Sequence, residues 1–309
     1  MNPIVCLAGP TASGKTALAV ELAQALDGEV VSCDSMQVYC RMDIGTAKPS
    51  IDERQGIPHH MLDVAQPEED YSVSRYCREA TPIVEDIVAR GKVAIIAGGT
   101  GLYMDSLIRG NDFAPFPSTG VRQRLEQQAD QEGMEAMKAW LSRVDPEAAE
   151  RIQDRKRLLR ALEVYLETGE TITEHNRCTQ EQPPRFTPVW LALDFAERQT
   201  LYDRIDQRVS NMLQMGLLEE IQGLLSSGVP ESATAMQAIG YKEFVGALEG
   251  KCTVEEAADQ VRQSSRRYAK RQLTWFRRNQ AVHWLIRQEG QGPDEIFRAA
   301  RQILREIDK

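Results

Sequence analysis

Apolar runs of strand length alternate with helix-period segments along the first third of the chain. Ile4 to Ala8 is a short apolar run followed by a glycine-rich turn, and from Lys15 onward Leu18, Leu22 and Leu26 recur every four residues. That spacing lays the leucines along one helical face. Asp27-Gly28 ends the helix, Glu29 to Cys33 predicts a second buried strand, and Asp34 stands at its carboxyl end. Val73 to Arg90 carries Tyr76, Ile83 and Ile87 on one helical face, and Lys92 to Ala97 predicts a third strand running into Gly98-Gly99. Strands separated by helices predict βαβ units with right-handed crossovers, and so a mostly parallel sheet flanked by helices.

Strand signals then stop. The stretch from Asn111 to Gly120 (NDFAPFPSTG) is proline-rich, and helical patterns follow at about Val121 to Gln131, Met134 to Val144, Pro146 to Ile152 and Lys156 to Thr168. Asp145-Pro146 is a helix N-cap with proline at the first helical position, and Gly169 fits a C-terminal cap. Pro183-Pro184 marks the return to a fourth strand at Val189 to Leu193 and a fifth around His283 to Ile286. Later helices are expected at about Glu197 to Met215, Leu217 to Ser226, Tyr241 to Glu249, Val254 to Arg278 and Pro293 to Ile307. The expected organisation is an α/β core over residues 1–112, an all-helical insertion over 113–185, and a continuation of the core over 186–309.

Composition narrows the class. With 309 residues, 42% apolar and 27% charged, the chain can bury a sizeable core. No apolar run approaches the roughly 18–20 residues of a membrane span, and the start lacks a basic, cleavable leader. A cytoplasmic protein with no membrane association, acting as a monomer, is expected. The six cysteines form no C-x-x-C pair, so neither a zinc site nor a disulfide framework is signalled. A net charge of −9 argues against a protein that coats nucleic acid. Its distribution adds something the sum hides: Arg262, Arg266, Arg267, Lys270, Arg271, Arg277 and Arg278 fall in one run without an acid, and a second basic cluster spans Arg151 to Arg160. Charge runs are usually solvated helix faces, so these clusters alone point only weakly to nucleic acid.

The strongest chemical signal is Gly9-Pro10-Thr11-Ala12-Ser13-Gly14-Lys15-Thr16, which fits G-x-x-x-x-G-K-[ST] between a strand and a helix. The glycines let the backbone curl so that successive N–H groups and the helix N-terminus face a phosphate, Lys15 adds a point charge, and Thr16 can ligate Mg²⁺. About one chain in a hundred of this length would match by chance, before the setting is considered. The core is thus expected to be P-loop-type. Nucleotide-hydrolysing relatives of this loop carry an Asp at the end of a later strand to act on Mg²⁺ and its water; here Gly98-Gly99-Thr100 takes that place. Asp34, followed by Ser35, Met36 and Gln37, ends the second strand instead, and in a parallel sheet both Asp34 and Thr100 open onto the crevice beside the loop. Asp34 could also be a helix N-cap or a second-shell magnesium carboxylate, and Thr100 the N-cap of a helix beginning near Leu102.

In order along nearly the whole chain stand GPTASGKT (Gly9 to Thr16), DSMQVY (Asp34 to Tyr39), DIGTAKP (Asp43 to Pro49), PHH (Pro58 to His60), GGTGLY (Gly98 to Tyr103), RALEVY (Arg160 to Tyr165), QAIGYKE (Gln237 to Glu243) and YAKRQLTWFRR (Tyr268 to Arg278). Together they resemble the bacterial tRNA dimethylallyltransferases, the IPP transferase family. The resemblance implies transfer of a dimethylallyl group from dimethylallyl diphosphate to N6 of the adenosine 3′ of the anticodon, with the helical insertion clasping the anticodon stem-loop of the tRNA. It implies that Arg208 completes a diphosphate clamp, although an exposed arginine paired with Asp206 is nearly as compatible with the sequence. It also implies tRNA contacts by Arg122, by Lys156, Arg157, Leu158, Leu159 and Arg160, and by Gln237, Ala238, Ile239, Gly240, Tyr241 and Lys242. The segment before Arg157 departs from the family pattern: Gln153 precedes Asp154 where many relatives have Asn. The zinc finger of eukaryotic relatives is absent.

The chemistry this implies makes demands that particular residues can meet. Breaking an allylic C–O bond puts charge on the departing diphosphate, which the loop amides, Lys15 and a Mg²⁺ on Thr16 would neutralise. The adenine amine is a poor nucleophile. Asp34 is the candidate to accept its proton, Thr100 to make a second polar contact with the base, and Ser35, Met36 and Gln37 to line the entrance for the extruded nucleotide. A P-loop small-molecule kinase explains the loop equally well, and a nucleotide-gated RNA-binding protein explains the basic runs. The kinase leaves the motifs from Gln237 onward unexplained; the RNA-binding protein leaves Asp34 and Thr100 idle.

Overall fold

The computed structural model describes residues 4–111 and 119–307, and the chain divides into two compact units: residues 1–110 with 185–309, and residues 111–184. The boundary expected between residues 112 and 113, like most of the proline-rich stretch, lies outside the described residues.

The first unit holds a sheet of β1 (Ile4–Ala8), β2 (Gly28–Cys33), β3 (His59–His60), β4 (Val93–Gly98), β5 (Val189–Phe195) and β6 (Val282–Arg287), in the order β3-β2-β4-β1-β5-β6, with every neighbouring pair parallel. Helices α1 (Lys15–Leu26), α2 (Ile51–Arg54), α3 (Val73–Ala89) and α4 (Gly101–Arg109) come from its first segment. After the second unit, with α5 (Val121–Glu132), α6 (Met134–Val144), α7 (Pro146–Arg151), α8 (Arg155–Thr168) and α9 (Ile172–Glu181), the chain returns with α10 (Arg198–Gln214), α11 (Leu217–Ser226), α12 (Lys242–Leu248), α13 (Val254–Phe276) and α14 (Pro293–Ile307).

The central strands read as apolar runs because both faces are covered. β1, β2 and β5 are buried along their whole length. On one face Val5, Leu7, Val30, Ile95, Leu191 and Leu193 meet Leu18 and Leu22 of α1, and Ile296, Ala300 and Leu304 of α14. Each fully buried aliphatic side chain of this kind contributes about 1.5–3 kcal/mol of transfer free energy. β1 lies between β4 and β5, so the strand order turns outward on either side of it, and the loop after β1 occupies that switch point.

In the second unit Val121, Leu125, Met137, Leu141, Leu158, Leu159 and Leu162 form a separate core. Asp145 caps α7 through the Ala148 N–H at 3.0 Å and also accepts from the Thr173 N–H and hydroxyl, which ties α9 to the bundle. No helix among the described residues is long and apolar enough to cross a membrane.

Candidate active site

In the loop from Gly9 to Thr16 the Thr11 and Ser13 N–H groups are bonded within the protein, and the first turn of α1 carries no side-chain cap. Gly14 is the N-cap of α1 at φ 92°, a left-handed conformation that favours glycine, and it offers no side chain to the first-turn N–H groups. Ala12 also has a positive φ, 62°, a strained geometry for a side-chain-bearing residue. The curl is held from outside: the Thr11 N–H donates to Gln272 Oε1 at 2.9 Å, and Arg204 Nε donates to the Ala12 carbonyl at 2.8 Å. Lys15 folds back over the loop, its ammonium donating to the Pro10 carbonyl at 2.6 Å.

Gln272, buried on α13, joins the two glycine-rich loops, since its Nε2 donates to the Gly99 carbonyl at 3.0 Å while its oxygen takes the Thr11 amide. A Cβ on Gly99 would lie 2.0 Å from that nitrogen, so only glycine allows the bridge.

Two cavities open above these loops. One, of about 460 Å³, is lined by Thr11 to Thr16, Asp34, Gln37, Thr46, Arg208 and Gln272, among others. The other, of about 340 Å³, is lined by Asp34, Ser35, Met36, Gln237, Ala238, Ile239, Lys242 and Arg271. Thr11, Asp34, Thr46, Arg208 and Tyr268 border both. The site therefore has one half lined by the Thr11–Thr16 backbone with Lys15 and Arg204, and another walled by apolar and neutral polar groups together with Lys242 and Arg271; Asp34 and Arg208 border both.

Asp34 does cap a turn, as the blander reading allows: its Oδ1 accepts from the Met36 N–H at 2.9 Å and the Gln37 N–H at 3.4 Å. No helix follows, and Oδ2 has no hydrogen-bond partner among the described residues. Arg208 resolves its own ambiguity. Asp206 pairs with Arg266, while Arg208 turns into the site and donates to the Thr46 carbonyl at 3.3 Å. Burial pulls its pKa down, against the pull of Asp34. Burial, with Arg208 close by, also lowers the Lys15 ammonium to about 7, Asp34 again opposing. Burial and Asp34 push the Tyr268 phenol up to about 12.

The other expected residues are placed as follows. Thr100 stands beside the segment after Asp34, its hydroxyl accepting from the Ser35 N–H at 3.1 Å. The Pro10 carbonyl accepts from the Lys15 ammonium at 2.6 Å and the Ser13 N–H at 3.3 Å. Tyr241 is fully buried, its hydroxyl on Glu220 at 2.6 Å; Glu220 also accepts from the N–H groups of Asp43, Ile44 and Gly45, fixing the loop that presents Thr46. Leu158 and Leu159 belong to the core of the second unit, so their side chains are closed to RNA. Of the cations beside them, Lys156 and Arg157 are exposed and have no ion pair among the described residues, whereas Arg122 and Arg160 both reach Glu163, at 3.8 and 2.9 Å. On α13 and just beyond it, Arg262, Arg266 and Arg277 are neutralised by acids, while Arg267, Lys270, Arg271 and Arg278 have no ion pair among the described residues. Sequence reasoning missed Tyr268, Gln272, Arg204 and Thr46 as site residues, although all but Arg204 lie in the motifs that carry the family resemblance.

Comparison with known proteins follows the same lines. Residues 37–279 match the IPP transferase family. The chain is 43% identical over 297 residues to a tRNA dimethylallyltransferase of Thermoanaerobacter sp., covering 95% of this chain and 94% of the relative. Among solved structures it is similar to the full-length tRNA isopentenylpyrophosphate transferase of Bacillus halodurans (TM-score 0.75, 38% identity, 100% of this chain and 97% of that one). It is also similar to a eukaryotic dimethylallyltransferase captured acting on tRNA (TM-score 0.82, 28% identity, 99% and 80%). Family match and near-complete coverage agree: the chain belongs to the IPP transferase family.

Proposed function

We propose that the protein transfers the dimethylallyl group of dimethylallyl diphosphate to the N6 amine of the adenosine 3′ of the anticodon, tRNA position 37, releasing diphosphate and leaving N6-isopentenyladenosine. The observation that carries this reading is the divided cavity, in which a cationic loop and a wall suited to a base adjoin at one carboxylate with a free oxygen.

The diphosphate lies against the uncapped amides of the Gly9–Thr16 loop, with Lys15 and Arg208 on its oxygens. As the allylic C–O bond breaks, its electron pair leaves with the diphosphate, and these donors are placed where that charge grows. The amine lone pair forms the new N–C bond, and the proton shed from N6 passes to Asp34 Oδ2. Among the described residues no three His, Cys, Asp or Glu side chains gather into a metal cage. The Thr16 hydroxyl, which lines the cavity, would help to hold a Mg²⁺ shared with the diphosphate, and that ion would supply positive charge beside the leaving group. Reaching this crevice requires the adenine to leave the anticodon-loop stack. Lys156 and Arg157 of the second unit, with Arg267, Lys270 and Arg271 on α13, supply exposed charge for tRNA phosphates. The tRNA substrate makes the cytoplasm the working compartment.

Incubation with dimethylallyl diphosphate and unmodified tRNA should yield N6-isopentenyladenosine by nucleoside mass spectrometry. Absence of that nucleoside, with phosphate passing from labelled ATP to a small molecule instead, would establish the kinase reading.

The lowered Lys15 pKa gives a second test. In the free site the lysine is charged below about 7 and neutral above it. A bound diphosphate favours the charged form and raises the pKa. Binding at pH 8 is therefore accompanied by uptake of about one proton, and affinity falls as pH rises above the free-state value. Calorimetry in buffers of different ionisation enthalpy reads this directly; no uptake in the wild type, or equal uptake by Lys15→Met, would sink it.

A further inference from the structure

Helix α13 lines both cavities from one face: Val261, Ser265 and Tyr268 reach the base-side cavity, and Tyr268 and Gln272 the loop-side one, at the spacing that stacks side chains along a helix. Of the residues that border both, Thr11, Asp34, Thr46 and Arg208 bring polar or charged groups, and Tyr268 brings an aromatic ring. No other Phe, Tyr or Trp lines either cavity among the described residues. The ring is held at its edges. Its hydroxyl makes polar contacts with the side chains of Thr100 and Gln272, the first of which holds the Ser35 N–H while the second bridges the two glycine-rich loops. The Arg271 guanidinium carbon lies 5.5 Å from the ring centre. Burial, with Asp34 nearby, pushes the phenol up to about 12, so at neutral pH the ring carries no charge.

The reacting carbon lies where the two cavities meet, since its oxygen leaves toward the loop and its new bond forms to the amine beside Asp34. It turns positive in unfavourable company: Lys15, Arg204 and Arg208 line the leaving-group half, and the free oxygen of Asp34 is committed to the amine proton. A neutral ring with a negative face stabilises a cation there without capturing it. We propose that Tyr268 is a catalytic residue of the transfer reaction, its ring facing the allylic carbon and stabilising the positive charge that spreads over C1 and C3 as the diphosphate departs. This rests on the transfer reading given above. The C1–O electron pair leaves with the diphosphate, the N6 lone pair makes the new bond, the proton passes to Asp34, and the ring neither gains nor loses an atom. The allyl group takes the ring face opposite Arg271. Neutrality of the phenol is part of the device, because a phenolate in this place would itself be alkylated in competition with the adenine.

The test is the single-turnover rate of N6-isopentenyladenosine formation across a series of nearly isosteric rings at position 268. Tyr268→Phe keeps the ring face and should hold the rate within about threefold of wild type. Adding one, two and then three fluorines to that phenylalanine drains the ring face at almost constant shape, and the logarithm of the rate should fall step by step, by about tenfold or more in all. Tyr268→Leu, an apolar wall without a ring, should lose about ten- to thirtyfold in rate while the KM for dimethylallyl diphosphate stays within about threefold. If that variant folds poorly, the fluorinated series decides alone. A flat fluorine series overturns the proposal, since the ring would then only fill space. A large loss in Tyr268→Phe with no further loss on fluorination also overturns it, because the hydroxyl would be the group that acts. Wild-type protein that forms no N6-isopentenyladenosine would instead remove the transfer reading, and this proposal with it.

Discussion

Asp34→Asn is expected to lower kcat by about 10²- to 10⁴-fold, the usual contribution of a positioned general base, while shifting the KM for dimethylallyl diphosphate by no more than about threefold. The substitution isolates the chemistry because of how the carboxylate is divided. Oδ1 holds the Met36 and Gln37 amides, and an asparagine carbonyl can go on accepting both. The free oxygen becomes an NH₂ group, a donor facing the donor hydrogens of the adenine amine. Loss of a cap costs only about 1 kcal/mol of stability, against about 3–5 kcal/mol of barrier for the lost base. Size thus separates the two roles once the melting temperature is recorded beside the rate. A variant that melts lower yet turns over at nearly the wild-type rate would show that Asp34 serves the turn, with water or another group taking the proton.

What the sequence made legible follows from how local each determinant is. Strands β1, β2, β4 and β5 announce themselves as buried runs because helices cover both faces of the sheet there, whereas β6 at the edge is only partly covered. β3 pairs through His59 and His60 alone, too short for any periodicity, and exists because Val30 and Val31 present an edge to it. α2 has four residues and no buried face, held by a Ser50–Glu53 capping box, while α9 carries the same device at Thr171 and Glu174. Both boxes are visible in the sequence; neither is accompanied by an apolar stripe strong enough to mark a helix.

The site divides in the same way. A contiguous loop such as Gly9 to Thr16 carries its chemistry in order, and the paired strand ends put Asp34 beside it. Gln272 is 173 residues from Gly99 and 261 from Thr11, the two residues it bridges, and nothing near it in sequence says that its amide will be buried. Arg208 shows the converse, since Asp206 is its neighbour in sequence but Arg266 claims that acid across the helix pair. Family resemblance named whole segments, and helical geometry then splits them: Lys156, Arg157 and Arg160 point outward while Leu158 and Leu159 face the core of the second unit.

Lys15→Ala is expected to lower kcat/KM for dimethylallyl diphosphate by about 10²- to 10³-fold, comparable to removing one donor from an oxyanion site, and to leave tRNA affinity within about twofold. Lys15 lines the amide-rich cavity and not the one bordered by Gln237, Ile239 and Lys242, so its loss falls on the leaving group alone. Fold stability should not suffer. Burial disfavours the charged ammonium and lowers its pKa to about 7, so truncation removes that burden, and the Pro10 carbonyl still accepts from the Ser13 N–H at 3.3 Å. The loop keeps its curl through Gln272 and Arg204, which bond its backbone independently of Lys15. Lys15→Arg separates charge from shape: it restores a cation that stays protonated at every working pH but must fit a larger fork into the same space. Steady-state kinetics with dimethylallyl diphosphate, a gel shift with tRNA and a thermal melt together decide the matter. Loss of tRNA binding in step with turnover, at an unchanged melting temperature, would mean that this lysine contacts the RNA and that the two halves of the cavity have been assigned the wrong way round.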